Sequence, residues 1–559
     1  MSDLSVERRR RLQRRALPAL AALAVLATAS GLMVGSLGQS DTERTAGDFT
    51  QAWERRDFRA MYGLLDDASR RAHSLPDFRR AYRDAAATAT ALRVESGEPD
   101  ARGGSSVAVP IDVYTRVFGR VRAELLLPVE GERVTWGPLL AFPGLRRGEA
   151  LARRSRPATR GTLLSRDGKV IARGQVDERS SPLEAAGSIA GTLAPGETSD
   201  ERHALYARGF PRSWPVGQNG LEEAFEGRLA GRPGGELLAG ERVLASAQPT
   251  PSAPVRTTID TRLQEAAVTA LAGRFGGIAA LDPRNGEIRA VAGIAFSAPQ
   301  PPGSTFKIVT TAAALEARAV KPTTEFPIAT AATIDGVELE NANGEACGGS
   351  FRVSFAHSCN SVFAPLGVEL GAAALVDAAE RFGWNAEPSI PGEVPSTLPP
   401  APEIASPLEI GSTAIGQFRT LATPLLMASV AQTIAARGVR RVPTLALGQP
   451  TRSVRVVRRR IARTIGSLMV DVVAYGTGTA AAIPGVKVAG KTGTAELEDT
   501  RDPETGETEP PDPSNTDAWF TAYAPAGHPK IAVAVMLVRA GAGGATAAPA
   551  ARVVLEAAL

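Results

Sequence analysis

The sequence predicts a multidomain α+β protein, and three observations support this prediction. The length of 559 residues exceeds that of one typical domain. Helix-like spacing of apolar residues gives way to strand-like alternation within residues 41–155, and the two patterns alternate in residues 256–559. Residues 156–255, between them, are rich in Gly, Pro and Arg and contain few periodic segments. We therefore predict three domains, at 41–155, 156–255 and 256–559.

An N-terminal segment, residues 1–40, precedes these domains. Its stretch Ala16–Leu37 carries no charge and as a helix would extend about 33 Å, enough to cross a hydrocarbon core. An Arg-rich run just before it predicts a cytoplasmic tail and a transmembrane signal anchor, so the chain would cross the plasma membrane once with its domains outside. The alternative is a signal peptide cleaved near Ala27-Thr28-Ala29. Both interpretations export most of the chain.

Composition argues against two classes of site. Acidic and basic residues balance beyond residue 40, so bulk charge does not indicate a nucleic-acid partner. The four His and two Cys show no metal-ligand spacing. We therefore predict no nucleic-acid partner, no metal and no cofactor.

The domain at 41–155 is expected to place helices on one side of a sheet. Ala46, Phe49 and Trp53 share one helix face, and Ser74-Leu75-Pro76 is typical of a helix start. The predicted strands that follow are Val107–Tyr114 and Val117–Leu127.

Turn residues and loop composition locate the elements farther along the chain. Asp167-Gly168 and Asn285-Gly286 each predict a hairpin turn. The acidic, Pro-bearing segment Glu498–Asn515 is typical of a solvated loop, with a partner-binding segment as the alternative. The predicted elements of 256–559 are strands at Gly277–Leu281, Ile288–Ala292, Val486–Ala489 and Ile531–Val538, and helices at Arg262–Leu271, Leu425–Ala436 and Ile461–Ala474.

Ser304 and Lys307 form the first of three candidate catalytic motifs. The preceding Pro301-Pro302-Gly303 predicts a helix start, and a spacing of three residues places both side chains on one face. The chain has only six Lys and otherwise uses Arg, which stays protonated in proteins, whereas a buried Lys can lose its proton. A neutral Lys307 could therefore activate the Ser304 hydroxyl as a nucleophile. An ordinary helix start with a surface Lys is the alternative.

Ser358 and Asn360 form the second motif, on a predicted short loop. Ser358 could relay a proton between Lys307 and a leaving group, and Asn360 could hold a substrate amide. Because Ser and Asn also favour turns for local reasons, a plain turn is the alternative.

Lys491, Thr492, Gly493 and Thr494 form the third motif, directly after a predicted strand. Gly493 would let a substrate backbone lie along an exposed strand edge. Thr492 and Thr494 could hydrogen-bond a carboxylate, and Lys491 would add positive potential. A strand end with a solvated Lys is the alternative, but the three motifs together in this Lys-poor chain favour one site.

Together the motifs resemble those of the penicillin-binding proteins and serine β-lactamases, whose signature is Ser-x-x-Lys, Ser-x-Asn and Lys-Thr-Gly. This resemblance covers residues 256–559 and implies that they form an α/β transpeptidase domain of the penicillin-binding and β-lactamase type. Other segments that resemble the family are Pro302–Lys307, Thr258-Ile259-Asp260, Ala414–Gln417, Gly476–Thr479 and Ala518-Trp519-Phe520.

A looser resemblance to class B penicillin-binding proteins extends upstream. Arg160-Gly161, Arg166-Asp167-Gly168 and Gly220-Leu221-Glu222 resemble the pedestal of that class, which implies a pedestal or dimerisation domain at 156–255; Ser165 stands where an acidic residue is more usual. Residues 41–155 resemble the nuclear-transport-factor-like, cone-shaped domain of a class B subset that includes the methicillin-resistance (MecA-type) proteins.

The resemblance implies a membrane-anchored peptidoglycan D,D-transpeptidase. Ser304 would form an acyl-enzyme with a stem peptide and pass it to an amine of a neighbouring stem, and β-lactams would acylate the same hydroxyl. The family pattern assigns catalysis to Lys307, Ser358, Asn360 and Lys491 as well. It places the oxyanion hole at the backbone N–H groups of Ser304 and Thr494, and class B resemblance implies a lipid-linked glycan polymerase as partner.

Cys347 and Cys359 are the only cysteines, and outside the membrane they could form a disulfide. The bridge would close a short loop next to Ser358 and Asn360 and hold that motif in place. Two free thiols are the alternative.

Three other functions remain open at this point. A D,D-carboxypeptidase would use the same chemistry with water as acceptor. A β-lactamase is disfavoured by the two upstream domains, and a non-catalytic β-lactam sensor or assembly scaffold is disfavoured by the intact motifs.

Overall fold

Two units make up residues 40–101, 106–498 and 512–559, which are the residues that this computed structural model describes. The described parts of the first unit come from residues up to 159, 195–214 and 231–251. The second unit consists of 160–194, 215–230 and 252–559, with the same gap after 498. The predicted anchor Ala16–Leu37 and residues 499–511 of the predicted loop lie outside the described residues.

The first unit begins with helices and continues with a sheet, as predicted. Ser40 starts the first helix with a reciprocal capping box to Glu43, and Ser74 accepts a bond from the Asp77 N–H at the start of the fourth. The predicted helix face of Ala46, Phe49 and Trp53 is buried against the sheet. The helices are Asp41–Glu54, Phe58–Gly63, Asp67–Ala72 and Leu75–Ala89, and the antiparallel strands, in sheet order, are Ala91–Ser96, Ser106–Thr115, Gly119–Glu130 and Arg133–Val134.

The region predicted as one extended domain, 156–255, contributes to both units. Its strand Gly234–Ala239 pairs on either side with Leu151–Arg156 and Arg242–Ala247, so backbone bonds hold these residues in the first unit together with helix Ser199–Ala207. In the second unit, the buried Arg160 guanidinium donates to Glu222 and Glu226. The predicted turn at Asp167-Gly168 joins the paired strands Leu163–Leu164 and Val170–Ala172. The pedestal and nuclear-transport-factor-like identities stay predictions.

A five-stranded antiparallel sheet forms the centre of the second unit. Along its strands, Ile278 and Ala280 face one apolar core while Ala279 and Leu281 face another, as the two-residue period of a strand requires. Thr261–Leu271 and Ala547–Ala558 pack on the first face, and Pro424–Ala435 packs on the second. The strand order is Ile288–Gly293, Gly276–Leu281, Ile531–Leu537, Thr516–Ala524, Ala489–Glu496.

A largely helical layer covers the second face of this sheet and carries most of the site. Its helices are Lys307–Ala317, Phe351–Ala356, Asn360–Leu370, Ala372–Phe382, Pro407–Ala414, Pro424–Ala435 and Arg459–Ala474. Shorter strands in the unit are Leu193–Ala194, Val216–Gly217, Val255–Arg256, Glu325–Ala329, Ala331–Ile334, Val337–Glu340, Cys347–Ser350, Val439–Arg441 and Ser453–Arg455, and its remaining helices are Glu184–Ala190, Gly220–Ala224 and Glu226–Leu229.

Within the described ranges, no single helix has the length and hydropathy needed to cross a membrane. One bent pair, Asn360–Leu370 with Ala372–Phe382, meets those criteria only when the two helices are taken together.

Candidate active site

Ser304 and Lys307 lie on consecutive parts of one helical segment. Gly303–Phe306 forms a short 3-10 turn, here called the Ser304 turn, and the α-helix Lys307–Ala317 follows it directly. The Lys307 N–H donates to the Ser304 carbonyl, so the two residues are one turn apart, as predicted. The Ser304 side chain is half-buried and that of Lys307 is completely buried, so the alternative of a surface Lys is wrong.

The Ser358 side chain lies between two lysine side chains. Its hydroxyl is 2.8 Å from Lys491 Nζ and 3.3 Å from Lys307 Nζ. Lys307 Nζ also lies 2.6 Å from Asn360 Oδ1 and 2.7 Å from the Ser358 carbonyl, and Lys491 Nζ donates to the Thr492 carbonyl at 3.0 Å. The fold therefore brings the three sequence motifs to one place.

Burial changes the protonation of both lysines. Desolvation lowers the Lys307 pKa well below its usual value, and the nearby Lys491 charge lowers that pKa further. Desolvation also lowers the Lys491 pKa, to about 7. The two close carbonyl oxygens can accept both N–H groups of a neutral Lys307 amine, which leaves its lone pair free to accept a proton. Both the lowered pKa and these contacts favour a neutral Lys307 that can act as a base.

The second motif is held by local backbone geometry and by a disulfide. Ser358 has a left-handed backbone (φ 63°) and lies on the predicted short loop, whereas Asn360 begins the next helix. The Asn360 amide donates to the Glu340 carbonyl at 2.6 Å, which orients its oxygen toward Lys307. The predicted disulfide is present: Cys359 is joined to Cys347, with the two Cα atoms 5.5 Å apart.

The third motif lies inside a strand. The sequence had predicted that it directly follows a strand. The Lys491 strand, Ala489–Glu496, begins where the predicted strand Val486–Ala489 ends. Eight residues of this strand pair antiparallel with Thr516–Ala524, and this pairing extends the strand through the motif. All of Lys491 and most of Thr492 are buried, so the alternative of a solvated Lys is wrong here too.

Two glycines let the Ser304 turn lie directly against the Lys491 strand. A Cβ on Gly303 would be 2.5 Å from the Thr494 carbonyl oxygen, and a Cβ on Gly493 would be 2.7 Å from the Pro302 carbonyl oxygen. Gly303 also has a left-handed backbone (φ 51°). Ser304 and Thr494, whose N–H groups are the predicted oxyanion hole, are therefore neighbours across this contact.

We expect Gly303→Ala to destabilise the second unit more than Gly485→Ala. Both residues have positive φ, which costs an alanine about 1–2 kcal/mol, but the Gly485 Cβ would meet nothing within 4 Å. The steric clash of the new Cβ with the Thr494 carbonyl oxygen should make the loss of unfolding free energy clearly larger at Gly303. Urea unfolding of both variants measures this difference, and equal midpoints would contradict the expected steric cost at Gly303.

Sequence reasoning missed the role of two residues that complete the site. Gly416 accepts a bond from the Gly303 N–H at 3.0 Å, and a Gly416 Cβ would be 2.0 Å from the Gly303 carbonyl oxygen. The Thr477 hydroxyl lies 2.6 Å from the Thr492 hydroxyl. Both residues belong to segments that resemble known family segments, but nothing in their spacing indicated these contacts.

A family model described as the penicillin binding protein transpeptidase domain matches residues 276–556. Among curated proteins, the peptidoglycan D,D-transpeptidase PbpA of Mycobacterium tuberculosis is 40% identical over 302 residues, which cover 47% of this chain and 56% of that protein. The PbpA of Mycolicibacterium smegmatis is 38% identical over 292 residues, with the same coverages. The chain thus spans a little over half the length of these curated relatives.

Solved structures give a consistent comparison. The D,D-transpeptidase domain of a peptidoglycan glycosyltransferase from Eggerthella lenta is 30% identical, with a TM-score of 0.58, and covers 72% of this chain and 98% of its own. Penicillin-binding protein A from M. tuberculosis, solved as a ceftriaxone acyl-enzyme complex, is 28% identical with a TM-score of 0.57 and the same coverages.

Proposed function

This chain belongs to the penicillin-binding protein transpeptidase family, and from that premise we propose that it is a peptidoglycan D,D-transpeptidase that acts through a serine acyl-enzyme. The observation that carries the proposal is the pair of buried lysines on either side of Ser358, beside the Ser304 turn. The PbpA relatives are named as enzymes of this activity, and penicillin-binding protein A forms a ceftriaxone acyl-enzyme, which supports both the reaction and β-lactam binding.

Acylation uses the first two motifs. The neutral Lys307 amine takes the proton of the Ser304 hydroxyl as its oxygen attacks the carbonyl carbon of the penultimate D-Ala. The N–H groups of Ser304 and Thr494 stabilise the resulting oxyanion. Ser358 passes a proton from Lys307 to the nitrogen of the terminal D-Ala, the C–N bond breaks, and free D-Ala leaves. Its contacts with both lysines put Ser358 in a position to do this.

Transfer reverses these roles. An amine of a neighbouring stem peptide attacks the ester carbonyl and loses a proton through Ser358 and Lys307, and the Ser304 oxygen leaves with a proton. The product is a cross-linked pair of stem peptides.

The proposal is tested with purified protein and two substrates. A fluorescent penicillin should label the protein at the peptide that contains Ser304, and mass spectrometry of digested protein locates that label. Stem pentapeptide mixed with an amine acceptor should then yield a cross-linked dimer and free D-Ala. Label at another residue would contradict the nucleophile assignment, and shortened monomers without dimer would indicate a D,D-carboxypeptidase.

Replacing Lys491 with Met should move the pH dependence of penicillin acylation. The Lys491 charge is the second cause of the low Lys307 pKa, so its removal should raise that pKa. Lys307 must be neutral to act as a base, and acylation should therefore fall at a higher pH in this variant than in wild type. Acylation rates across pH measure the shift. Lys487→Met, at an exposed lysine on the same segment, is the control. If the fall in acylation rate at low pH occurred at the same pH in Lys491→Met as in wild type, the electrostatic coupling of Lys307 to Lys491 would be contradicted.

Membrane attachment and partner choice are parts of the same proposal. The uncharged segment Ala16–Leu37 and its preceding Arg run support a single-pass anchor in the plasma membrane with the catalytic unit outside. Resemblance to class B proteins supports a lipid-linked glycan polymerase as partner. Full-length protein should therefore sediment with membranes, whereas a chain that lacks residues 1–40 should stay in the soluble fraction.

A further inference from the structure

One hydroxyl outside the three motifs contacts the third of them. The Thr477 Oγ1 atom lies 2.6 Å from Thr492 Oγ1, a normal distance for a hydrogen bond between hydroxyls. Thr477 lies on the loop that follows helix Arg459–Ala474, and Thr492 lies in the Lys491 strand. The two residues come from separate parts of the sequence, so tertiary folding alone makes this pair.

The Thr477 backbone is fixed to the helix that precedes Ser358. Its N–H donates to the Ala356 carbonyl at 3.1 Å, and its hydroxyl reaches the same oxygen at 3.4 Å. A Cβ on Gly476 would lie 2.2 Å from that oxygen, so a glycine there permits the close approach. On the other side, a Cβ on Gly544 would lie 2.3 Å from the Thr477 carbonyl oxygen. Thr477 therefore has little freedom to move relative to either motif.

Either hydroxyl of the pair can be the donor, and the direction of this bond decides where the Thr492 proton can point. The single Thr477 proton has two acceptors in reach, and Thr492 Oγ1 at 2.6 Å is nearer than the Ala356 carbonyl at 3.4 Å. A hydroxyl donates one hydrogen bond and can accept two. When Thr477 donates its proton to Thr492, the Thr492 proton is free for an anionic acceptor, and a chain of hydroxyls that ends on an anion strengthens each bond in it. Thr492 is flanked by Lys491, whose buried amine adds positive potential at this place.

We propose that Thr477 is a positioning residue for the carboxylate of the bound substrate or β-lactam: it orients the Thr492 hydroxyl so that this hydroxyl donates to the carboxylate. The inference rests on the proposed function, because it assigns Thr477 to the same acylation site. Thr477 itself touches Thr492 and Ala356 and acts through Thr492. It therefore influences recognition of the anionic end of the ligand and not proton removal from Ser304.

The test compares a penicillin that has a free carboxylate with the methyl ester of the same penicillin. Thr477→Val keeps the shape of the side chain and removes its hydroxyl, whereas Thr477→Ser keeps the hydroxyl. With the free acid, Thr477→Val should acylate about five- to tenfold more slowly than wild type, the loss expected for one hydrogen bond, and Thr477→Ser should stay within about twofold. With the methyl ester, which carries no anion, Thr477→Val and wild type should acylate at similar rates.

Thr479→Val is the matched control, because Thr479 is an exposed threonine two residues farther along the chain, at the start of a short 3-10 helix, and should behave as wild type with both ligands. An equal loss with acid and ester in Thr477→Val would mean a general structural role and overturn the inference, as would the absence of any loss with the free acid. Thermal unfolding of each variant checks folding, and Thr477→Ala, which also lacks the hydroxyl, provides the same comparison of acid and ester if the valine variant is unstable. If wild-type protein formed no adduct at Ser304, the proposed function would fail first and this inference with it.

Discussion

Ser304→Ala should form no covalent adduct with penicillin. Alanine offers no oxygen to attack the carbonyl, and loss of a serine nucleophile in serine proteases lowers turnover on the order of 10⁶-fold. The rest of the site should remain intact, because the contacts among Lys307, Ser358 and Lys491 do not involve the Ser304 side chain. The measurement is labelling by fluorescent penicillin on a denaturing gel, together with intact-protein mass.

Ser361→Ala provides the matched control for this variant. Ser361 is half-buried beside the second motif, and its hydroxyl donates a hydrogen bond to the Cys347 carbonyl at 3.3 Å. It should label like wild type. Persistent labelling of Ser304→Ala would show that another residue is the nucleophile, and the proposed mechanism would have to be abandoned.

Lys307→Arg should lower the rate of acylation about 10²–10⁴-fold, the contribution typical of a positioned general base. Arg keeps a positive charge and a long side chain but does not lose its proton in proteins. The variant therefore separates the need for a base from the need for a cation. The second-order rate constant for penicillin acylation measures the loss, and it should stay low at every pH up to 10 because raising the pH cannot deprotonate the guanidinium.

Lys487→Arg is the control, because Lys487 is exposed and lies on the approach to the Lys491 strand. It should acylate at the wild-type rate. Near-normal acylation by Lys307→Arg would contradict the assignment of Lys307 as the base. If the variant instead failed to fold, its unfolding temperature would show this, and Lys307→Met would then test the same role without a buried guanidinium.

Local patterns were sufficient to predict much of the fold. The apolar faces of the first helices, the start at Ser74 and the hairpin strands at Gly277 and Ile288 depend on periodicity and capping within a few residues, and the structure has these features close to the predicted positions. The limits of the Lys491 strand were displaced, because its extent depends on pairing with Thr516–Ala524, which is distant in the sequence. The Gly, Pro and Arg content of residues 156–255 predicts one linking domain, but composition does not show which segments pair, and these residues contribute to two different units.

Sequence patterns alone were enough to nominate the residues that we propose for the chemistry. The rarity of Lys, the spacing of Ser304 and Lys307 and the order of three short motifs were enough to select Ser304, Lys307, Ser358, Asn360 and Lys491. How these groups behave depends on the folded arrangement, since the low pKa of each lysine comes from burial among residues far apart in the chain. It also revealed Thr477, Gly303 and Gly416 as parts of the site, because their contacts exist only where separate segments meet.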